Sequence, residues 1–341
     1  MVRRINEQQT RQELIDPALE AAGWNLHNHQ QVRFEVPVAG YDATPFNGFT
    51  DYCLYRETGE VIAVVEAKRA SYDVKLAQAQ AEMYAEEIER RQSFRPFIFL
   101  TNGIDTYFYD DGFAPKRPVY GFFSPDDLEN LLYIRQNGLP LESIPINNSI
   151  TDRAYQHEAI RLVCEAFTAG KRKALIVMAT GTGKTRTTMS LIDVFMRANQ
   201  ARRILFVADR DALVEQAKTD GFETFIPHDP CTRIYSHTIE KSNRLYASTL
   251  QTLSNCFEQF TPAFFDLIIF DEVHRSIFNK YNEVIQYFDA RMIGLTATPA
   301  QFIDRDTFLT FGCNDGTPTY LYTYRQAIDE GYLVDYNHYS A

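Results

Sequence analysis

The run "KALIVMATGTGKTRTTMSLIDVFMRA" (173–198) constrains the fold more than any other stretch. An apolar run, "ALIVM" (174–178), gives way to a glycine-spaced polar loop, "ATGTGKT" (179–185), and then to an apolar helical segment, "TMSLIDVFMRA" (188–198). Such a strand is apolar on both faces. It needs cover above and below and a crossover to a parallel neighbour. Three further runs repeat the pattern: "RILFVAD" (203–209), "LIIFDE" (267–272) and "MIGLTAT" (292–298). Each is short, and helix-length segments separate them. The fold class expected here is α/β, a parallel sheet with helices on both faces.

The loop itself points to phosphate. Strand, glycine loop and helix in this order let backbone N–H groups close around phosphate oxygens, and the helix N-terminus adds its dipole. Thr180, Gly181, Thr182, Gly183, Lys184, Thr185 and Arg186 are the candidate nucleotide-binding residues. Lys184 would reach the β- and γ-phosphates of ATP, and Thr185 would place its hydroxyl on Mg²⁺. The general spacing asks for glycine where Met178 stands. Further on, "LIIFDEVHRS" (267–276) ends a buried strand in Asp271 and Glu272. On the strand neighbouring the loop, Asp271 would hold Mg²⁺ through water, and Glu272 would orient the attacking water.

The first half carries a different pattern. "VIAVVEAKRA" (61–70) is an apolar strand that ends in Glu66 and Lys68, one residue apart and therefore on one face. Fourteen residues separate Asp51 from Glu66, and "RETGE" (56–60) supplies a glycine turn between the two strand-like runs. A hairpin would bring Asp51, Glu66 and Lys68 to one edge of a sheet. Two carboxylates there suit a hard cation such as Mg²⁺, and Lys68 could position water or steady a phosphate. The helix expected over roughly 72–91 places Gln80 and Tyr84 four residues apart on one face. Glu13, on an expected first helix, is a further acidic candidate. The triplet also fits a plainer account, a solvated strand end with a surface ion pair.

Between the halves, "NGLPLESIPINNSI" (137–150) has two prolines and three asparagines and no helical period. It reads as a linker. The expected division is residues 1–136, a linker over 137–150, and 151–341. The five cysteines are scattered without a CxxC pair, which disfavours zinc and disulfides and fits a reducing cytosol. No apolar run approaches the roughly 18 residues of a membrane span. The net charge of −11 taken alone disfavours nucleic acid, although "AGKRKAL" (169–175) and "ARRI" (201–204) gather positive charge locally.

The combination Asp51…Glu66-Ala67-Lys68 with Gln80-x-x-x-Tyr84 resembles the PD-(D/E)xK nucleases, in the branch found in restriction subunits of type I restriction–modification enzymes. There the Gln-x-x-x-Tyr pair follows the catalytic lysine and supports the site. "ATGTGKT" resembles the loop of superfamily 2 helicases, which share the departure at Met178, and Asp-Glu-Val-His resembles their motif II. "RAYQHEAI" (153–160) resembles the Q-motif region, in which Gln156 would read the adenine edge. "LFVADRDALVEQA" (205–217) resembles motif Ia and "YASTLQTL" (246–253) motif Ib. "GLTATP" (294–299) resembles motif III, in which Thr296 and Thr298 would link ATP state to DNA grip, and His274 would couple the nucleotide site to it.

Together these resemble the motor and nuclease subunit of type I restriction enzymes. The resemblance implies an endonuclease-like N-terminal domain followed by a first RecA-like domain. Asp51, Glu66, Lys68, Gln80, Tyr84 and Glu272 would serve catalysis, with Asp51 and Glu66 on one metal and Thr185 and Asp271 on another. It also implies Mg²⁺ at both sites, ATP, double-stranded DNA, methyltransferase and specificity subunits as partners, and a cytoplasmic setting without a membrane. The chain stops at "YLVDYNHYSA", where a second motor domain is expected to begin, so an N-terminal fragment with weak ATP binding and poor hydrolysis is expected. Two alternatives are another superfamily 2 nuclease–motor of phage defence, type III included, and a DNA- or partner-binding module with an inactive nuclease fold.

Overall fold

A computed structural model describes residues 7–37, 48–68, 74–236, 239–272, 278–298, 300–303 and 305–335. The chain divides into two compact units. The first is Met1–Tyr133 with Thr261–Phe264 and Tyr287–Asp289; the second is Ile134–Phe260, Phe265–Gln286 and Ala290–Ala341.

The first unit is built on a six-stranded mixed sheet. Its strands are β1 (Val32–Pro37), β2 (Phe49–Tyr55), β3 (Val61–Ala67), β4 (Phe97–Thr101), β5 (Thr106–Asp110) and β6 (Ala114–Val119), hydrogen-bonded in chain order. The "RETGE" turn forms as its glycine predicts. Gly59 takes φ +89°, and Arg56 N donates to Glu60 O at 2.9 Å, which closes β2 onto β3. β3 is apolar on both faces because both are covered. Tyr52, Val65, Phe97, Phe99 and Phe108 fill one side. Cys53, Val64, Ile98 and Leu100 meet Ala81 and Ala85 of the helix Val74–Glu89 on the other. The two alanines let that helix lie close to the sheet, and it makes the crossover from β3 to its parallel neighbour β4.

The second unit holds a seven-stranded sheet, every pairing of which is parallel. Its strands are β7 (Lys173–Met178), β8 (Ile204–Ala208), β9 (Cys231–Arg233), β10 (Leu245–Thr249), β11 (Leu267–Phe270), β12 (Arg291–Thr296) and β13 (Tyr320–Tyr322). Their order is β13-β7-β12-β11-β8-β10-β9. This corrects one expectation. Asp271 follows β11, which is not the strand beside β7, because β12 lies between them. Helices Ala154–Thr168 and Lys184–Arg197 send Ile160, Val163, Ile192 and Phe195 into the core. The segment 137–150 carries a 3₁₀ turn at Leu141–Ser143 and buries Leu141 and Ile150 in this same core. Among the described residues no helix is long and apolar enough to cross a membrane.

Candidate functional sites

In the first unit, antiparallel register sets the site. Tyr52 pairs with Val65, so Asp51 comes alongside Glu66 on the face covered by Val74–Glu89. Asp51 Oδ2 accepts from Ala67 N at 2.7 Å. Lys68 Nζ donates to Glu66 Oε1 at 2.8 Å and lies 3.5 Å from Gln80 Oε1. Gln80 Nε2 donates to the Tyr84 hydroxyl at 2.7 Å. The structure thus brings Asp51, Glu66, Lys68, Gln80 and Tyr84 together.

Burial shows what this arrangement demands. Glu66 is only 3% exposed and Tyr84 1%, while the Lys68 side chain keeps 24% of its surface. A carboxylate that deep needs a cation, and Lys68 supplies one. Burial also pushes the Tyr84 phenol up, so it stays neutral and can accept from Gln80. The donor set fits a hard cation: two carboxylates on paired strands at the end of a sheet. Among the described residues no group of three or more His, Cys, Asp or Glu could hold a metal. A cation there would rest on Asp51 and Glu66 and complete its shell with water or phosphate oxygen, as Mg²⁺ does.

One participant escapes a sequence reading. The first helical run has a π-helical turn at Arg11–Ile15, on which Glu13 is exposed. Arg11, two residues earlier, turns inward. Its Nη1 lies 3.6 Å from Asp51 Oδ1 and 3.4 Å from Glu35 Oε1. No local pattern marks it, since its partners lie 24 and 40 residues away.

In the second unit, Gly181 and Gly183 take φ of +83° and +84°, which only glycine adopts cheaply. A Cβ on Gly183 would stand 2.5 Å from Gln156 Nε2. Gln156 is 1% exposed. Its amide donates to Thr182 O at 2.9 Å and Gly183 O at 3.2 Å, and Thr151 donates to its carbonyl. Tyr155 also donates to Thr182 O, at 2.7 Å. The helix Ala154–Thr168 therefore braces the loop from behind, and Gln156 faces the loop itself. Thr180 and Thr185 are exposed; Thr182 is buried and donates to Ala179 O at 2.6 Å. Arg186 lies over the Phe225 ring, 3.4 Å from Ile150 O.

Lys184 reaches past β12 to the end of β11: Nζ lies 3.1 Å from Glu272 Oε1. Glu272 sits at φ +54°, a strained value for a non-glycine residue. Its other oxygen lies 3.5 Å from Ala297 N, so one side chain joins the loop lysine to the turn after β12. In that turn Thr298 N donates to Thr296 Oγ1 at 3.0 Å. Asp271 Oδ1 is buried with no hydrogen-bond partner, and burial, reinforced by the Glu272 charge, pushes this carboxyl up to about 6. An orphaned buried carboxylate oxygen beside a phosphate loop fits a divalent cation. A cleft of about 320 Å³ opens at the ends of β7 and β13, bordered by Thr180, Ala297 and Tyr322. His274 lies outside the described residues. The basic segments 169–175 and 201–204 fall at the starts of β7 and β8, the opposite strand ends from the loop.

The class these features define is a P-loop, RecA-like sheet carried on one chain with a mixed sheet that bears an acid–acid–lysine site. Residues 35–117 match the family described as "Type I restriction enzyme R protein N terminus (HSDR_N)". Residues 149–301 match "Type III restriction enzyme, res subunit". The endonuclease subunit of type I restriction enzyme EcoAI from Escherichia coli is 31% identical across 94% of this chain and 42% of its own length. That of EcoKI from Escherichia coli strain K12 is 29% identical across 94% of this chain and 34% of its own length. A solved fragment of an HsdR subunit from Vibrio vulnificus YJ016 is 29% identical, covering 96% of this chain and 61% of that one, with a TM-score of 0.43. These matches support an HsdR-type subunit, similar along nearly the whole of this chain to the endonuclease subunits of type I restriction enzymes. It spans about two-fifths or less of the length of these two curated relatives.

Proposed function

We propose that this chain carries the nuclease and the first motor domain of a type I restriction subunit, which cleaves double-stranded DNA while ATP hydrolysis drives translocation. The observation that supports this most strongly is the convergence of Asp51, Glu66, Lys68, Gln80 and Tyr84 on a chain that also holds a braced phosphate loop. The proposed division is a nuclease domain over 1–136 and a RecA-like domain over 151–341, acting in the cytoplasm.

In the nuclease site, Asp51 and Glu66 would hold Mg²⁺, which supplies charge neutralisation and an activated water when bound. Lys68, released from Glu66, would stabilise negative charge on the scissile phosphate. Gln80 and Tyr84 fix the position of that ammonium. In the motor site, Lys184 would exchange Glu272 for the β- and γ-phosphates of ATP, which frees Glu272 to orient water. Asp271 and Thr185 would hold the Mg²⁺ of the nucleotide. Ala297, against Glu272, would pass that exchange to the turn containing Thr296 and Thr298.

Partners would be methyltransferase and specificity subunits. The assembled enzyme with Lys68→Ala should bind and hydrolyse ATP yet leave DNA uncut; with Lys184→Ala it should neither hydrolyse ATP nor cut DNA. Cutting at the unaltered rate after Lys184→Ala would refute the ATP-coupled part. A second reading, a type III-like subunit, draws on the description matched by residues 149–301. Cleavage without a specificity subunit would favour it.

A further inference from the structure

Arg11 contacts a residue of the proposed nuclease site, and nothing in the mechanism above uses it. Its guanidinium lies between two carboxylates, 3.6 Å from Asp51 Oδ1 and 3.4 Å from Glu35 Oε1. Its Nη2 is 3.4 Å from Asp51 O, and its carbon stands 4.9 Å over the Tyr52 ring. That ring is in turn fixed, because the Tyr52 hydroxyl donates to Asp16 Oδ1 at 2.7 Å. Glu35 has the left-handed φ of +48° on strand β1, where a β-region angle is the norm. The β1–β2 register runs through Phe34↔Tyr52 and Val36↔Thr50 and passes over Glu35, which would face Asp51. A strained residue opposite a site carboxylate, reaching the same arginine, is an arrangement that persists only where its surroundings hold it.

We propose that Arg11 is a positioning residue that serves as the counter-charge of Asp51 in the metal-free site, and that Glu35 shares it. This rests on the reading of Asp51 and Glu66 as the metal-holding pair. Each carboxylate of that pair has a cation of its own: Lys68 on Glu66 at 2.8 Å, Arg11 near Asp51 at 3.6 Å. A divalent cation then competes with Arg11 for Asp51. Glu35, by drawing the guanidinium toward itself, favours the cation.

The test is calorimetric titration of Mn²⁺ into the nucleotide-free 341-residue chain, with Asp51→Asn defining the heat due to this site. Arg11→Gln should bind Mn²⁺ roughly three- to tenfold more tightly, the size of a partly exposed charge interaction. Glu35→Gln should bind it roughly two- to threefold more weakly. In the Arg11→Gln background the Glu35→Gln effect should vanish, because it acts through the arginine. A Glu35→Gln effect of equal size in both backgrounds would be the diffuse loss of one negative charge and would overturn the proposal. So would unchanged or weaker binding by Arg11→Gln with a folded circular-dichroism spectrum. Arg11→Lys guards against misfolding, since it keeps the charge and should stay near the unaltered affinity; a tightening as large as that of Arg11→Gln would overturn the proposal. Absence of any Asp51-dependent binding in the unaltered chain would instead remove the metal-site reading beneath it, and the proposal with it.

Discussion

The two units answer the same electrostatic problem differently. Each sets a lysine against a glutamate beside an aspartate: Lys68 and Glu66 at 2.8 Å in the first, Lys184 and Glu272 at 3.1 Å in the second. In the first, the aspartate is supplied with donors, since Ala67 N reaches Asp51 Oδ2 and Arg11 stands by Oδ1. In the second, Asp271 Oδ1 is buried and unpartnered, and the carboxyl is pushed up to about 6. The first site is thus electrostatically complete without an ion, while the second is left short of one positive partner.

The comparison is most sharply tested at the lysines. Lys184→Ala should weaken ATP binding by about a hundredfold or more, read with a fluorescent nucleotide, and leave Asp51-dependent Mn²⁺ binding unchanged. If both fall together, the sites are not independent. Lys68→Ala removes the ammonium facing a carboxylate that is 3% exposed. It should cost the first unit about 2 kcal/mol, seen as a lower melting temperature, with most of the loss recovered in the Lys68→Ala, Glu66→Gln pair. A smaller loss than that of an exposed pair would show Glu66 to be sustained by its other neighbours.

A third test uses pH. Asp271 rises from 3.8 to about 6 on folding, so the folded protein holds this proton more tightly than the unfolded chain. The stabilising contribution is complete below about pH 4 and is lost as pH rises through 6, at most about 3 kcal/mol. In metal-free buffer, melting temperature should fall between pH 5 and 7, and Asp271→Asn should flatten that slope. Mg²⁺ should oppose it, since the cation favours the ionised form. The smallest effect is expected from Tyr84→Phe. It deprives Gln80 Nε2 of its acceptor and should cost about 1 kcal/mol by denaturant titration, with slower DNA cleavage in the assembled enzyme. No change in cleavage would show that Lys68 is held without Gln80.

How much of this could be read from residues alone differs between the two sites. Asp51, Glu66, Lys68, Gln80 and Tyr84 are brought together by rules of short range: alternation along a strand, a glycine turn, and the i, i+4 face of a helix. The strand–loop–helix of the phosphate loop is equally local. What escaped depends on order in space. Apolar runs do not say which strand lies next to which, so β12 between β7 and β11 could not be foreseen. β9 and β13 have three residues each, too few to show a period. The resemblance assigns Gln156 to the adenine edge, and only the folded structure shows its amide turned to the loop carbonyls. Arg11 lies 40 residues before Asp51, and no pattern of spacing connects them.

The strand orders carry a consequence for how the chain is made. Strands of the first sheet bond in the order in which the ribosome delivers them, so that ladder can be complete once Val119 has emerged. β7 is different: its two neighbours are β12 and β13, and its second edge stays open until Tyr320–Tyr322 has been synthesised. For the time taken to translate more than a hundred residues, an apolar strand waits for partners. The nascent chain should therefore need its chaperones for the half that carries the parallel sheet, and far less for the half that precedes it.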